Sequence, residues 1–156
     1  MSIVKSFSDA VLKTWLNELG LEHYLCDECR GLHLVEMQSK EGVAECRLFA
    51  EEWGFLLSTE FQIRPSALMT VLAEIGPLNV DYPTLKIFLD TEDDGVPYLV
   101  ASATAYTGAG MTEGQFALFV TTSLEMTNRL LGELAEMNCL YLEEDAENPA
   151  PASMLH

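Results

Sequence analysis

A chain of 156 residues that is 49% apolar is long enough to bury a real core without disulfides or metals, and wholesale disorder is excluded. It carries 25 acidic residues against 8 basic ones, a formal charge of −17, and the cations (Lys5, Lys13, Arg30, Lys40, Arg47, Arg64, Lys86, Arg129) are scattered. Duplex DNA and anionic membranes call for a clustered basic surface, so neither is expected as a direct partner.

Residues 8–20 predict a first helix, with Ser8 as N-cap, Phe7 and Leu12 at the staple positions and Gly20 as the stop. Its apolar stripe is Val11, Leu12, Trp15, Leu16 and Leu19. From Leu21 the period shortens toward two. Residues 24–26 read as extended, Asp27, Glu28 and Gly31 turn the chain, 32–37 read as strand, and 39–42 as a hairpin turn. In 43–49 the residues Ala44, Cys46 and Leu48 face one side while Glu45 and Arg47 face the other. Phe55, Leu57, Thr59 and Phe61 alternate again, so three consecutive antiparallel strands are expected.

Pro65 opens a short helix with Leu68, Val71, Leu72 and Ile75 at i, i+3, i+4, i+7, and Gly76-Pro77 is expected to end it. A loop over 79–83, a strand over 85–90, a tip over 91–95 and a strand over 98–106 complete a second hairpin. The longest periodic run spans 112–137, opened by a Thr112/Gln115 capping box. Phe116, Phe119, Val120, Leu124, Met126, Thr127, Leu130, Leu131, Leu134 and Met137 fall in one broad arc, with Leu118 the large apolar intruder opposite. So wide a stripe calls for a sheet face beneath it. The order is α-βββ-α-ββ-α, an α+β fold with helices on one face of an antiparallel sheet. One domain is expected over 1–142, followed by an acidic, Pro- and Ala-containing disordered tail over 143–156.

Residues 1–9 show no apolar run of signal-peptide length, and no stretch approaches the roughly 20 apolar residues that span a bilayer. A cytoplasmic location is therefore expected, with Cys26, Cys29, Cys46 and Cys139 as reduced thiols.

Cys26-Asp27-Glu28-Cys29 invites a redox reading, but the two carboxylates between the thiols disfavour thiolate and strand, not helix, follows. His33 and Cys46 could extend the pair to a Cys3His zinc set. No second close ligand pair supports it, and small buried side chains at the start of a sheet are the preferred reading, so no cofactor is expected. The acidic run 90–95 lacks the twelfth-position ligand of a calcium loop, where Ala101 stands, and Pro97 interrupts it. Gly108 and Gly110 are explained by helix entry, no GxSxG elbow is present, and no catalytic residue is assigned.

Several stretches in the same order resemble the YbjN family of bacterial proteins, in particular its enterobacterial branch with the exopolysaccharide and stress regulators of the AmyR kind. They are Cys26-Asp27-Glu28-Cys29-Arg30-Gly31-Leu32-His33-Leu34, Met37-Gln38, Arg64-Pro65-Ser66-Ala67, Phe88-Leu89-Asp90 with Asp93, Asp94 and Pro97, Thr112 with Gln115-Phe116-Ala117 and Phe119-Val120, and Leu155-His156. The resemblance implies a fold similar to class I type III secretion chaperones, a homodimer, and no catalytic activity. It also implies a part in stress response, motility, virulence and repression of exopolysaccharide synthesis, exercised through an unidentified protein partner. It brings no catalytic motif, and the recurring Cys26, Cys29 and His33 pattern is not an established metal site. Two rival readings are a metal- or thiol-dependent sensor built on those three residues, and a secretion chaperone that wraps a segment of an exported protein. The homodimer is expected across 66–75 beside the 79–84 loop, with Leu68, Met69 and Leu72 contributing, and partner docking on the outer sheet face at Glu45, Arg47, Glu60, Lys86 and Phe88.

Overall fold

Ser8 caps α1 (Asp9–Glu18) by accepting from the Val11 amide at 3.4 Å, and Gly20, at φ 72°, closes it in the left-handed conformation. These details come from a computed structural model that describes residues 3–4, 7–91 and 95–147. Leu12, Trp15 and Leu16 form the buried side of α1. Phe7 stands edge-on to Trp15 and Phe55, with ring centroids 5.7 and 4.7 Å apart.

The main sheet takes β2 (His23–Leu25), β3 (Leu32–Leu34), β4 (Val43–Ala50), β5 (Gly54–Gln62), β6 (Lys86–Thr91) and β7 (Pro97–Tyr106). Its six strands lie in the order β2-β3-β4-β5-β7-β6, each antiparallel to its neighbours. A separate ribbon pairs β1 (Ile3–Val4) with β8 (Met111–Thr112). Register puts Cys46, Thr59, Ala101 and Ile87 in one row and Leu48, Leu57 and Ala103 in the next, all buried. This is the inner face, and α1, α3 (Leu68–Asp81) and α4 (Glu113–Glu136) cover it. Each large apolar side chain buried there contributes roughly 1.5–3 kcal/mol. α4 opens on the expected box, the Gln115 amide donating to Thr112 Oγ1 at 3.1 Å and the Thr112 amide to Gln115 Oε1 at 2.9 Å.

Beyond the β1–β8 ribbon, which the periodicity does not predict, the structure departs from it at four places. The expected strand over 32–37 stops at Leu34, and α2 (Val35–Gln38) makes one helical turn that buries Met37 and swings Gln38 back against the sheet. α3 does not end at Gly76-Pro77 but runs to Asp81 through the expected loop. Pro77 removes the bond that would reach the Ala73 carbonyl, but both residues are exposed, so water can satisfy that oxygen. Asn79 fixes the continuation: its amide donates to the Ile75 and Ile87 carbonyls at 2.9 Å and accepts from the Ile87 amide at 3.0 Å, covering edge strand β6. β2 joins the sheet as a further strand beyond the three expected in this half.

The fourth departure falls at the chain's end. Glu143–Glu147 form a helical turn, α5, where the tail was expected. Arg64 Nη2 bonds Asp145 Oδ2 at 3.2 Å, which ties this turn to the residue before the 3-10 turn Pro65–Ala67 that leads into α3. Residues 148–156 lie outside the described residues, as do 92–94 at the tip of the second hairpin.

Candidate functional site

The β2–β3 connection is a tight loop in which the Cys26 amide donates to the Gly31 carbonyl and the Arg30 amide to the Cys26 carbonyl, both at 3.0 Å. Arg30 sits at φ 60°, and a Cβ on Gly31 would meet Phe49 Cε1 at 2.8 Å. Gly31 leaves room for the Phe49 ring, and its amide points at Cys29 Sγ, 3.4 Å away. His33, on the next strand, brings Nε2 to 3.4 Å from the same sulfur. Cys26 Sγ completes the group, in which each residue's donor atom lies within 4.8 Å of the others. The two cysteines are half-buried, not the core side chains that the sequence pattern suggested. Cys46 does not join them. It lies on the inner face, fully buried, with the Thr59 hydroxyl 3.4 Å from its sulfur, and burial pushes its thiol up to about 11.

His33 is held on three sides. Tyr24 stacks on the ring at 4.7 Å with the planes 8° apart. Gln38 Oε1 lies 2.6 Å from Nδ1 and also accepts from the Cys46 amide, while its Nε2 donates to the Tyr24 hydroxyl. The amide is thereby oriented oxygen-inward, so Nδ1 is the donor and in the neutral ring Nε2 turns its lone pair toward Cys29. Glu45 Oε2 stands 3.1 Å from Nδ1 and adds negative charge. At Cys29, burial pushes the thiol up, but the Gly31 amide, the Cys26 thiol and the Arg47 guanidinium together hold it below its ordinary value. Strand periodicity over 32–37 does not report Gln38, because residues 35–38 turn helical, whereas the Tyr24–His33 pairing is available from the hairpin alone.

The same row crosses the whole outer face: Tyr24, His33, Arg47, Ser58, Ser102 and Lys86 are successive register partners. Glu45, Glu60, Val100 and Phe88 form the next row. All five residues named for partner docking thus lie on this face. Arg47 Nη2 reaches Glu60 Oε1 at 2.8 Å and its guanidinium lies over Phe49, while Lys86 lies over Phe88, its ammonium 5.1 Å from the ring centre. Of the three dimer candidates on α3, Leu68 is half-buried, whereas Met69 and Leu72 are exposed by 74% and 49%. With Ala73, Gly76, Pro77 and Val80 they make an arc of about 140° without a charge.

An antiparallel sheet with helices on one face and a Cys/His cluster at its first hairpin defines an α+β protein. The YbjN family profile, described as "Putative bacterial sensory transduction regulator", matches residues 8–136, and the chain belongs to that family. YbjN of Escherichia coli (strain K12) is 35% identical over 136 residues, 87% of this chain and 85% of that protein, and YbjN of Shigella flexneri matches equally. The crystal structure of E. coli YbjN, "a putative transcription regulator", superposes with a TM-score of 0.84 at 33% identity, covering 90% of this chain and 99% of that one. An uncharacterized protein from Methanothermobacter thermautotrophicus shares the fold, with a TM-score of 0.54 at 10% identity over 84% of this chain and 99% of that chain.

Proposed function

We propose that this chain is a non-enzymatic, cytoplasmic regulator that works as a homodimer and acts by binding another protein. The observation that carries the reading is the apolar stripe on α3, where Met69, Leu72 and Val80 stand exposed on one side of a helix whose other side already fills the core. An exposed stripe of this kind marks an interaction surface. Ala73 and Gly76 at its middle let a second helix approach closely, which suits a two-fold contact of α3 with its own copy. The outer sheet face, with Glu45, Arg47, Glu60, Lys86 and Phe88, is then left for the regulated partner.

The family description and the E. coli relative's description both point to regulation, and the resemblance ties it to stress response, motility and exopolysaccharide synthesis. A charge of −17 argues that any effect on transcription passes through a protein, since affinity for duplex rests on neutralising phosphates. Light scattering at tens of micromolar is expected to show a dimer, strengthened by added salt because screening weakens the repulsion between two acidic copies. A folded monomer under those conditions defeats the dimer. Saturable, sequence-selective retention of promoter DNA at submicromolar concentration defeats the protein-partner mechanism.

A further inference from the structure

We propose that Cys26, Cys29 and His33 form a zinc-binding site, with water holding the fourth position at the open edge of the hairpin. The donor set fits: two sulfurs and one imidazole nitrogen are the ligands that favour Zn²⁺ over the hard cations. The spacing fits as well. Zinc–sulfur and zinc–nitrogen bonds of about 2.3 and 2.0–2.1 Å at a tetrahedral angle place sulfur and nitrogen about 3.6 Å apart. Cys29 Sγ and His33 Nε2 already stand at 3.4 Å. The other separations, at most 4.8 Å, have to close by no more than about 1.2 Å, within the reach of side-chain rotation on a loop of half-buried cysteines.

The surroundings are those a metal histidine requires. A ligating imidazole is oriented by a hydrogen bond from its other nitrogen, and here Gln38 takes that bond and is itself pinned by the Cys46 amide and the Tyr24 hydroxyl. The Gly31 amide bonds the Cys29 sulfur, which favours the thiolate that zinc needs. The Arg47 charge and that of Arg30 in the loop oppose a dication, but Glu45 and Glu60 on the same face and Asp27 and Glu28 in the loop outnumber them. The cluster thus joins a preset nitrogen donor to two accessible thiols. Neither the homodimer nor the protein-partner mechanism is needed for it.

The test uses the full chain, freed of any histidine tag, purified reduced and without chelators. Elemental analysis and competition against a chromophoric chelator are expected to give one zinc per chain. Cobalt(II) substitution should show sulfur-to-metal charge transfer and the visible bands of a tetrahedral site. Cys26→Ser and Cys29→Ser, both at half-buried positions, should weaken zinc by about 100-fold or more, and Gln38→Ala by about 10–100-fold through loss of orientation. Cys139→Ser, remote from the cluster, should leave binding unchanged, and circular dichroism verifies that each variant is folded. The proposal is overturned if the reduced protein takes up no zinc from a micromolar excess, or if the folded Cys26→Ser/Cys29→Ser double variant still holds one equivalent.

Discussion

Two helices lie on the same sheet face and bury themselves in opposite ways. α4 is closed at its start by a reciprocal side-chain box, buries Phe116, Val120, Ser123, Thr127, Leu130 and Leu134, and turns Gln115, Glu125, Asn128, Arg129 and Glu136 to solvent. α3 has no side-chain cap, buries only Val71 and Leu78, and turns Met69, Leu72 and Val80 outward. Within the monomer α4 is nearly complete: apart from the exposed Leu118 its large apolar residues face inward, joined there by Ser123 and Thr127. α3 has apolar residues on both sides, and among the described residues the outer ones stay uncovered. The contrast locates the surface that a second molecule would finish.

The largest effect expected is on the completed helix. Phe116 is fully buried between Trp15 and Phe55, with ring centroids 5.2 and 5.5 Å away. Phe116→Ala should cost about 3–5 kcal/mol, read by urea denaturation, because the rigid aromatic cluster cannot collapse into the space. A cost below about 1 kcal/mol would show that α4 is less firmly seated than its burial implies. Leu72→Glu should behave in the reverse manner. Substitution on the outside of α3 should change monomer stability by no more than about 0.5 kcal/mol. Self-association should weaken by about 2 kcal/mol or more, a factor of about 30, if Leu72 is a central contact. Sedimentation velocity of the two variants side by side separates these outcomes. A stable dimer of Leu72→Glu would move the interface elsewhere.

Thr112→Ala tests the cap at a smaller scale. It removes the hydroxyl that receives the Gln115 amide, and a loss of about 1 kcal/mol is expected in thermal or urea melts. An equal loss from Gln115→Ala, with no further loss in the double variant, would show that the two bonds act as one unit.

Most of this contrast was legible before any coordinates. The α4 arc, its box and even its intruder Leu118, 67% exposed, follow from period and cap chemistry, which are local. The outer-face placement of Glu45, Arg47, Glu60, Lys86 and Phe88 follows from strand alternation in the same way. The misreadings share a cause. Gly76-Pro77 is a strong local stop, but it was overridden by a distant need, the side chain of Asn79 bonding the open edge of β6. Val35–Gln38 runs straight on from the Leu32–Leu34 strand with no turn residue between, yet α2 is what carries Gln38 to His33 and the Cys46 amide. The Cys26 and Cys29 pair was visible as a motif, but its convergence with His33 depends on a loop held by Gly31 and on the side of β3 that His33 takes. Contacts between elements decided each of these, and local pattern does not report them.

The smallest effect is expected where the two helices are tied together. Arg64 stands just before the 3-10 turn that leads into α3, donates from Nε to the Leu140 carbonyl at 3.3 Å and pairs with Asp145 in α5, beyond the end of α4. Asp145 Oδ2 also receives the Leu142 amide at 2.8 Å. Both partners of the ion pair keep about a quarter of their side-chain surface in water, at 23% and 28%, so the charge attraction is largely screened. Asp145→Asn keeps an acceptor for the Leu142 amide and loses only the charge, so a destabilisation of about 0.5 kcal/mol, fading in high salt, is expected. Asp145→Ala loses the amide's acceptor too and should reach about 1 kcal/mol with a part that salt does not remove. Urea melts at low and high ionic strength distinguish the two substitutions. A salt-independent loss above about 2 kcal/mol from Asp145→Asn would mean that α5 is integral to the core and that the α3–α4 contrast extends through a shared joint.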